Sequence, residues 1–222
     1  MTDDPNRSAD GVRGAYGRLA AEYDRRWATY NRRSLALLRP LLAGRGAGTL
    51  LDLACGTGNL VPLLAEWGTR VDRYLGADLS PEMLARAALR AALRAGRAPF
   101  SAALLAADAA VMPLRDRSVD TLVTASALHD WADAPTVLAE ARRVLRPGGR
   151  LLLLDWSRER VTMRALNLWL RITRNPFRRM YTRDEAAALL AAAGFRIVAQ
   201  ERRAITWTWE LMVFDAVAFD EV

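Results

Sequence analysis

The stretch TLLDLACGTGNLVPLLAEW, from Thr49 to Trp67, contains the first recognisable structural unit of this chain. Its opening letters, TLLDLA, form an apolar run typical of a buried β-strand. After the glycines, apolar residues return at helical spacing, at Leu60, Leu63, Leu64 and Trp67. Glycines between a strand and a helix let the backbone approach a ligand closely, and the helix start offers free N–H groups. The stretch therefore predicts a strand, a ligand-binding turn and a helix.

The same alternation of strand and helix patterns continues along the chain. Further strands are predicted in the runs RYLGAD (73–78), FSAALLAAD (100–108), VDTLVTAS (119–126) and RLLLLDW (150–156). Between them, Ser80 and Pro81 favour the start of a helix that ends at Gly96, and Asp133 is placed to cap another helix, which the RPGG turn ends. This order predicts an α/β fold: a doubly wound, Rossmann-like, mostly parallel sheet of seven strands.

The last two strands are expected to form an antiparallel hairpin at the edge of the sheet. Thr182 and Glu185 have the spacing of a capping box, so a helix is predicted from there to Gly194. The segment FRIVAQERR (195–203) has the character of a sixth strand, and alternation then predicts a seventh, at Ile205, Trp207, Trp209 and Leu211. Because the link between these segments is short, they can pair only antiparallel.

The composition is that of an ordinary globular protein with one core. A chain of 222 residues, 52% of them hydrophobic, suits a single domain with small appendages, and no apolar run reaches the roughly 18–20 residues of a membrane span. The opening MTDDPNRSADG lacks the pattern of a signal peptide, so we expect a cytoplasmic location. With one cysteine, Cys55, and one histidine, His129, we expect no metal site.

The net charge of +7 admits two interpretations. Clustered basic residues would favour nucleic acid, anionic lipid or an acidic substrate. However, every basic residue is arginine, lysine is absent, and alanine and leucine abound, which is typical of a compositional bias of the whole sequence. We favour the second interpretation. Because the sequence contains no recognisable nucleic-acid recognition module, we do not expect nucleic acid as a partner.

Asp52 indicates which kind of ligand the turn binds. A dinucleotide site places a pyrophosphate at the helix start and needs the pattern G-x-G-x-x-G, but the third glycine position holds Val61 here. Asp52 would also repel a pyrophosphate. A positively charged ligand reverses the sign of that interaction, so a nicotinamide-dependent oxidoreductase is the less favoured interpretation.

At these residues the sequence resembles the class I S-adenosylmethionine-dependent methyltransferases, in particular the type 11 group that includes quinone-biosynthesis C-methyltransferases. DLACGTG (52–58) resembles their first motif, with Ala54 where the family usually has glycine. GADLSPEML, AADAAVMPL, VDTLVTASALHDW and RVLRPGGRLLLLDW resemble the following motifs in order, and the resemblance spans residues 12–215. Each motif alone is weak, whereas all of them in register are specific.

The resemblance implies S-adenosyl-L-methionine as cofactor and assigns residues to it. Asp52 would bind its ammonium end, Asp78 its ribose hydroxyls, and Asp108 with the backbone N–H of Ala109 its adenine, while Ser126 would lie beside the sulfonium. The cofactor-binding residues implied in full are Asp52, Ala54, Gly56, Thr57, Gly58, Asn59, Asp78, Leu79, Asp108, Ala109, Ser126 and Tyr23. Simple caps or turns are the alternative role for the three aspartates.

The resemblance also divides the single domain, residues 1–222, into four parts. These are an N-terminal helical cover (1–45), a cofactor-binding core (46–157), a lid insertion (158–181), and a last helix with the edge hairpin (182–222). The cover would lie over the cofactor pocket, and the lid would select the substrate.

Four residues are assigned to the acceptor side: Tyr16, His129, Trp131 and Trp169. Tyr16 and Tyr23 are spaced to share one face of the cover helix, and their rings suit a sulfonium by cation–π attraction or serve in ordinary packing. His129 follows the fourth strand, and because imidazole titrates near neutral pH it suits a general base, with pocket lining as the alternative. An amine or thiolate acceptor needs no base.

The lid insertion contains a basic amphipathic pattern. Leu166, Trp169, Leu170 and Thr173 form one stripe at helical spacing, and Pro176 is expected to end the helix. A second stripe consists of Arg160, Arg164, Asn167, Arg171 and Arg174. The face over 160–174 suits an acidic substrate or weak contact with an anionic membrane surface, and a solvated face on a packed lid is the alternative.

These features predict a methyltransferase that acts on a small molecule. A sulfonium methyl group is already a strong electrophile, so holding the acceptor in line with it and excluding water supply most of the acceleration. A non-catalytic S-adenosylmethionine-binding protein is the alternative beside the oxidoreductase. Turnover to S-adenosylhomocysteine distinguishes the enzyme from such a binding protein.

Overall fold

The computed structural model describes residues 9–43, 45–92, 100–173 and 177–219. The strands are β1 (Gly46–Leu53), β2 (Arg70–Asp78), β3 (Ser101–Ala106), β4 (Val119–Ala125), β5 (Leu145–Trp156), β6 (Phe195–Ala204) and β7 (Glu210–Ala218). The α-helices are α1 (Ala9–Leu35), α2 (Arg39–Leu42), α3 (Leu60–Glu66), α4 (Pro81–Ala92), α5 (Ala134–Val144), α6 (Val161–Thr173) and α7 (Arg183–Ala192). Short 3₁₀ helices cover Ala36–Leu38 and Leu128–Asp130.

The strands form a single seven-stranded sheet in the order β3-β2-β1-β4-β5-β7-β6. The first five strands pair in parallel, and β7 runs antiparallel to both β5 and β6. The predicted fold class is confirmed, with the antiparallel pair at one edge. Because β2 and β4 lie on opposite sides of β1, the sheet reverses its winding direction at β1.

Helices pack on both faces of the sheet because its central strands are apolar on both sides. Leu51 of β1 faces a core that α5 and α7 complete, with Leu138 buried in it. Leu50, the preceding residue, points to the opposite face, where Leu64 of α3 and Leu170 of α6 are buried. The near-continuous apolar runs of the sequence therefore correspond to strands with two buried faces.

Several helix starts follow the local signals in the sequence. Ser80 precedes α4, and Asp133 caps α5 by accepting a hydrogen bond from the backbone N–H of Thr136. Thr182 and Glu185 form both hydrogen bonds of a capping box at α7. These predictions are confirmed because each depends only on neighbouring residues. The helix ends predicted at residues 96 and 176 lie outside the described residues.

The seventh strand was predicted too early in the sequence. Its apolar alternation at Ile205, Trp207 and Trp209 lies in the turn that joins β6 to β7, where the N–H of Ile205 donates to the carbonyl oxygen of Trp209. Thr206 stabilises this turn by accepting a hydrogen bond from the N–H of Trp209 at 2.9 Å. β7 therefore starts at Glu210, and it lies between β5 and β6, so that β6 forms the edge of the sheet.

The long helix α1 packs against the start of α4. Gly17 of α1 approaches Glu82 so closely that an added Cβ would lie 2.9 Å from a carboxylate oxygen of Glu82. The two helices therefore approach closely at this point, with the end of the Glu82 side chain against Gly17. Among the described ranges, no helix has the combination of length and apolar composition needed to cross a bilayer.

Candidate functional site

A cavity of about 210 Å³ opens where β1, β2 and β4 end and α1 covers them. Ligands of α/β sheets bind at the carboxyl ends of the strands beside the point where winding reverses, and this cavity has that position. Many residues predicted from the sequence line it together: Tyr16, Tyr23, Ala54, Gly56, Asp78, Leu79, Asp108, Ala109, Ser126 and Trp131. These ten are among the 22 residues that line the cavity.

The turn after β1 adopts a backbone conformation that favours glycine. Gly56 and Gly58 have φ angles of +55° and +74°, in the left-handed region. Gly58 also lies against α4, where an added Cβ would be 3.1 Å from the Cβ of Ala87. Ala54 has a φ of +60°, which fits the glycine that the family motif usually places there. The missing side chain permits the left-handed backbone at both glycines, and at Gly58 it also permits the close approach of α4.

Asp78 ends β2, and backbone N–H groups hold its carboxylate. One oxygen accepts a hydrogen bond from the N–H of Gly56 at 2.8 Å, and the other accepts from the N–H of Ser80 at 2.9 Å. Burial raises the pKa of Asp78, and the hydrogen bonds from Ser80, Gly56 and Leu79 oppose that increase. A carboxylate has about four acceptor positions, so Asp78 can accept a further hydrogen bond from a ligand in the cavity.

Asp108 and Ala109 follow β3 and form the next part of the wall. The side chain of Asp108 accepts a hydrogen bond from the N–H of Ala110 at 2.9 Å, and its carbonyl oxygen accepts from the N–H of Val111. Such a turn holds the aspartate side chain against its own backbone. The wall therefore offers a carboxylate acceptor and a backbone donor from consecutive residues.

Asp52 does not line the cavity, although it directly precedes the turn. Only 4% of its surface is exposed, and it accepts a 2.6 Å hydrogen bond from the hydroxyl of Tyr74. Burial raises the pKa of Asp52 to about 7, while the Tyr74 hydrogen bond lowers it and the charge of Asp78 adds to the increase. The structure therefore places Asp52 beneath the turn, in contact with Tyr74 rather than with the cavity.

Thr57 and Asn59 bind α1 instead of lining the cavity. The hydroxyl of Thr57 donates to Oδ1 of Asp24 at 2.6 Å, and the amide of Asn59 donates to the same oxygen at 3.3 Å. Arg90 of α4 donates to Oδ2 of Asp24 at 2.6 Å and to the amide oxygen of Asn59 at 2.8 Å. Asp24, which the sequence analysis missed, therefore joins α1 to the glycine turn and to α4.

A second contact fixes α1 near Ser126. The hydroxyls of Tyr30 and Ser126 are 2.7 Å apart, and the indole N–H of Trp156 donates to the Tyr30 oxygen at 2.6 Å. Burial raises the pKa of Tyr30 far above its usual value, so its hydroxyl stays protonated. Ser126 has a φ of +58°, an unusual conformation for a residue other than glycine. Tyr30 therefore ties the cover helix to the end of β4.

Asp130 is a cavity residue that the sequence analysis did not single out. The hydroxyl of Tyr16 donates to its Oδ2 atom, and only 6% of the residue is exposed. Its Oδ1 atom is buried and has no hydrogen-bond partner among the described residues. A buried carboxylate oxygen without a partner is costly, so this atom is suited to a donor on a bound ligand. Its position next to His129 was the only signal in the sequence.

His129 lies behind Asp130 and is not among the residues that line the cavity. Its Nδ1 atom is 2.7 Å from Oδ1 of Asp155, and its ring stacks on Trp156 with the ring centres 4.1 Å apart. Its Nε2 atom is 3.7 Å from Oδ2 of Asp130. The imidazole, only 2% exposed, is therefore held by Asp155 and Trp156 and lies outside the cavity wall.

The two tryptophans assigned to the acceptor lie in different places. Trp131 lines the cavity, next to Asp130. Trp169 lies on the outer side of α6, with 59% of its surface exposed. The helical spacing suggested that Trp169 shares a face with Leu170, but only Leu170 is buried. The structure does not bring Trp169 together with the other predicted site residues.

The sequence and the fold define a recognised class of protein. The family described as a methyltransferase domain matches residues 51–153. A malonyl-[acyl-carrier protein] O-methyltransferase of Geobacter sulfurreducens is 33% identical over 195 residues, which are 84% of this chain and 70% of that protein. The chain therefore belongs to the class I S-adenosylmethionine-dependent methyltransferases.

Two further similarities extend this comparison. An uncharacterized methyltransferase of Mycobacterium tuberculosis is 39% identical over 153 residues, 65% of this chain, and the match spans 56% of that relative's length. The protein solved in complex with the Haloferax volcanii Trm112 methyltransferase activator superposes with a TM-score of 0.76. That similarity covers 92% of this chain and 98% of the other at 22% identity, so it shows the fold alone.

Proposed function

We propose that this protein binds S-adenosylmethionine in the cavity and transfers its methyl group to a small-molecule acceptor. The observation that carries the proposal is the charge of the wall. Although the chain has a net charge of +7, the cavity is lined by four aspartates and by no arginine of the described residues. The aspartates are Asp78, Asp108, Asp130 and Asp133. An acidic cavity in a basic protein suits a ligand with positive charge.

The residues present fit this cofactor one by one. Asp78 would accept hydrogen bonds from its ribose hydroxyls, and Asp108 with the N–H of Ala109 would hold its adenine. The turn at Gly56 would pass beside its methionine part, with Tyr23 near the sulfonium. Bound there, S-adenosylmethionine would supply a methyl group on a positively charged sulfur. Asp52 would support the turn from below instead of contacting the ammonium group.

Asp130 is proposed as the group that accepts the acceptor's proton. Tyr16 holds one carboxylate oxygen, and the other has no partner among the described residues. A carboxylate so placed would take a proton from an attacking hydroxyl, amine or thiol, or would bind an acceptor that carries positive charge. His129, the base proposed from the sequence, would act through Asp130. Asp155 would in turn fix the orientation of the imidazole through its 2.7 Å contact.

Two alternative functions differ from the proposed one, the first in the ligand and the second in the absence of turnover. A nicotinamide dinucleotide would bring a pyrophosphate against an aspartate-lined wall, which is electrostatically unfavourable. The third glycine of its motif is also absent, because that position holds the buried Val61. A protein that binds S-adenosylmethionine without catalysis would share every cofactor contact, so only turnover distinguishes it from the enzyme. The acceptor of the Geobacter sulfurreducens relative, an acyl group on a carrier protein, belongs in any screen.

Isothermal titration calorimetry with S-adenosylmethionine, S-adenosylhomocysteine and NADH tests the proposal. We expect the first two to bind and Asp78→Ala to weaken both at least about tenfold, which corresponds to the loss of about 1.4 kcal/mol. Asp72→Ala, at an exposed aspartate of the same strand, is the matched control and should bind as the unmodified protein does. The proposal would be overturned if only NADH bound, or if Asp78→Ala and Asp72→Ala bound S-adenosylmethionine with equal affinity. Release of S-adenosylhomocysteine with a panel of acceptors then tests turnover.

A further inference from the structure

The outer side of α6 presents an apolar stripe that nothing in the described structure covers. Val161, Leu168, Trp169 and Ile172 are 79%, 60%, 59% and 76% exposed. Successive residues of an α-helix are rotated by about 100° around its axis, so these four positions lie on the side of the helix away from the buried Leu170. A surface helix normally presents polar residues on its outer side. The stripe therefore departs from the pattern of a helix that only packs on its own core.

Trp207 extends the stripe across the neighbouring turn. The guanidinium of Arg160 donates to the carbonyl oxygen of Trp207 at 3.0 Å, and the hydroxyl of Thr162 donates to the carbonyl oxygen of Thr208 at 2.9 Å. These contacts hold the β6–β7 turn against the start of α6. Trp207 itself is 83% exposed. We call the combined surface the outer patch, formed by Val161, Leu168, Trp169, Ile172 and Trp207.

Arginines follow one side of the outer patch. Arg164 and Arg171 are exposed on α6, and Arg160 precedes the helix by one residue. The segment Val161–Thr173 contains no acidic residue. Arg160 forms an ion pair with Glu210 at 3.1 Å. The patch therefore combines large apolar side chains with a positively charged margin.

We propose that the outer patch rests on the surface of an anionic lipid bilayer. Helices that lie in the bilayer interface bury apolar side chains at the boundary of headgroups and acyl chains, and they place arginines against the lipid phosphates. Tryptophan is enriched at that depth, and the outer patch contains two. Because Leu170 and Met163 anchor the opposite side of α6 in the core, the helix is held flat with its stripe outward. This inference does not depend on the identity of the methyl acceptor.

The experiment is flotation of the full chain with phosphatidylcholine vesicles, with and without phosphatidylglycerol. We expect binding only to the anionic vesicles and weaker binding at high salt. Trp169→Ser combined with Ile172→Ser should reduce the bound fraction at least about tenfold through lost apolar burial. Arg164→Gln combined with Arg171→Gln should remove the preference for phosphatidylglycerol. Val198→Ser, at an exposed apolar residue of β6, is the matched control and should float as the unmodified protein does.

Circular dichroism spectra and thermal midpoints serve as the control for folding. We expect each variant to be folded because the changed side chains are exposed. The proposal is overturned if the folded, unmodified protein does not float, or if Trp169→Ser with Ile172→Ser floats equally well. It is also overturned if light scattering shows that the outer patch joins two copies of the chain. In that case, the serine variants would change the oligomeric state and not the binding to vesicles.

Discussion

The hydroxyl of Thr57 donates a 2.6 Å hydrogen bond to Oδ1 of Asp24, which joins the glycine turn to the helix that covers it. The other oxygen of Asp24 accepts from Arg90 of α4. One carboxylate therefore connects three elements around the cavity: α1, the turn after β1, and α4.

Asp24→Ala should loosen the cover helix. The change leaves the buried Thr57 hydroxyl without its acceptor and removes the counter-charge of Arg90, at a cost of about 1–3 kcal/mol in unfolding free energy. Hydrogen exchange should become faster along α1, and S-adenosylhomocysteine should dissociate faster. Glu22→Ala, at an exposed acid of the same helix, should change neither rate. Equal exchange in the two variants would show that the contact does not hold the cover.

Asp130→Asn should separate turnover from cofactor binding. The amide keeps the size of the carboxylate but cannot take a proton, so the rate of S-adenosylhomocysteine release should fall by about 10²–10⁴-fold. Calorimetric affinity for S-adenosylhomocysteine should change little. Tyr16→Phe, which removes the hydroxyl that holds Asp130, should reduce turnover less. A variant that loses affinity and rate together would instead place Asp130 in the cofactor site.

Asp52 should make the stability of the protein decrease with rising pH. Its pKa is raised from 3.8 to about 7, so between these values the folded protein keeps a proton that the unfolded chain releases. Stability is therefore lost as the pH rises through this window and is constant above it. Asp52→Asn should remove the effect. Relative to the unmodified protein, it should gain about 2–3 kcal/mol between roughly pH 5 and pH 8.

Urea unfolding at several pH values measures this difference. Asp72→Asn, at an exposed aspartate of β2, is the control and should show the same pH dependence as the unmodified protein. A constant difference between Asp52→Asn and the unmodified protein at all pH values would contradict the raised pKa.

The glycines of the turn should differ in their tolerance of alanine. Gly56→Ala should cost about 1–2 kcal/mol through backbone conformation alone, because an added Cβ would meet nothing within 4 Å. Gly58→Ala should cost more, since its Cβ would also press on Ala87. Gly46→Ala, where there is neither a left-handed backbone nor a neighbour, is the control. If Gly56→Ala and Gly46→Ala unfold at the same urea concentration, the strain argument fails.

Much of the fold was predictable because its signals are local. Apolar runs marked the first five strands, and caps at Ser80, Asp133 and Thr182 marked helix starts. The alternation at residues 205–209 was misleading because Thr206 and Trp209 close a turn, and apolar spacing alone does not show this. The start of β5 at Leu145 was also missed. Leu145 belongs to the strand because it pairs with Val119 of β4 across an irregular register, and the local sequence does not show this pairing.

The cavity wall was predictable where residues follow a strand, and less so where contacts cross the chain. Asp78 and Asp108 end or follow strands, so topology alone places them at the same edge. Asp24 and Asp130 acquire their partners from segments far away in sequence, and no spacing rule indicates such contacts. The burial of His129 depends on stacking against Trp156 and on Asp155, both of which lie in a later strand.

His129 also provides a spectroscopic probe of this protein. It is the one histidine of the sequence, so a nitrogen–proton correlation spectrum of the ring contains the signals of a single imidazole. That ring stacks on Trp156, which donates its indole N–H to Tyr30 of the cover helix. The ring current of the tryptophan should move the histidine signals whenever the cover shifts. Magnetic resonance of one natural residue, without any substitution, should therefore follow opening and closing of the cavity in solution.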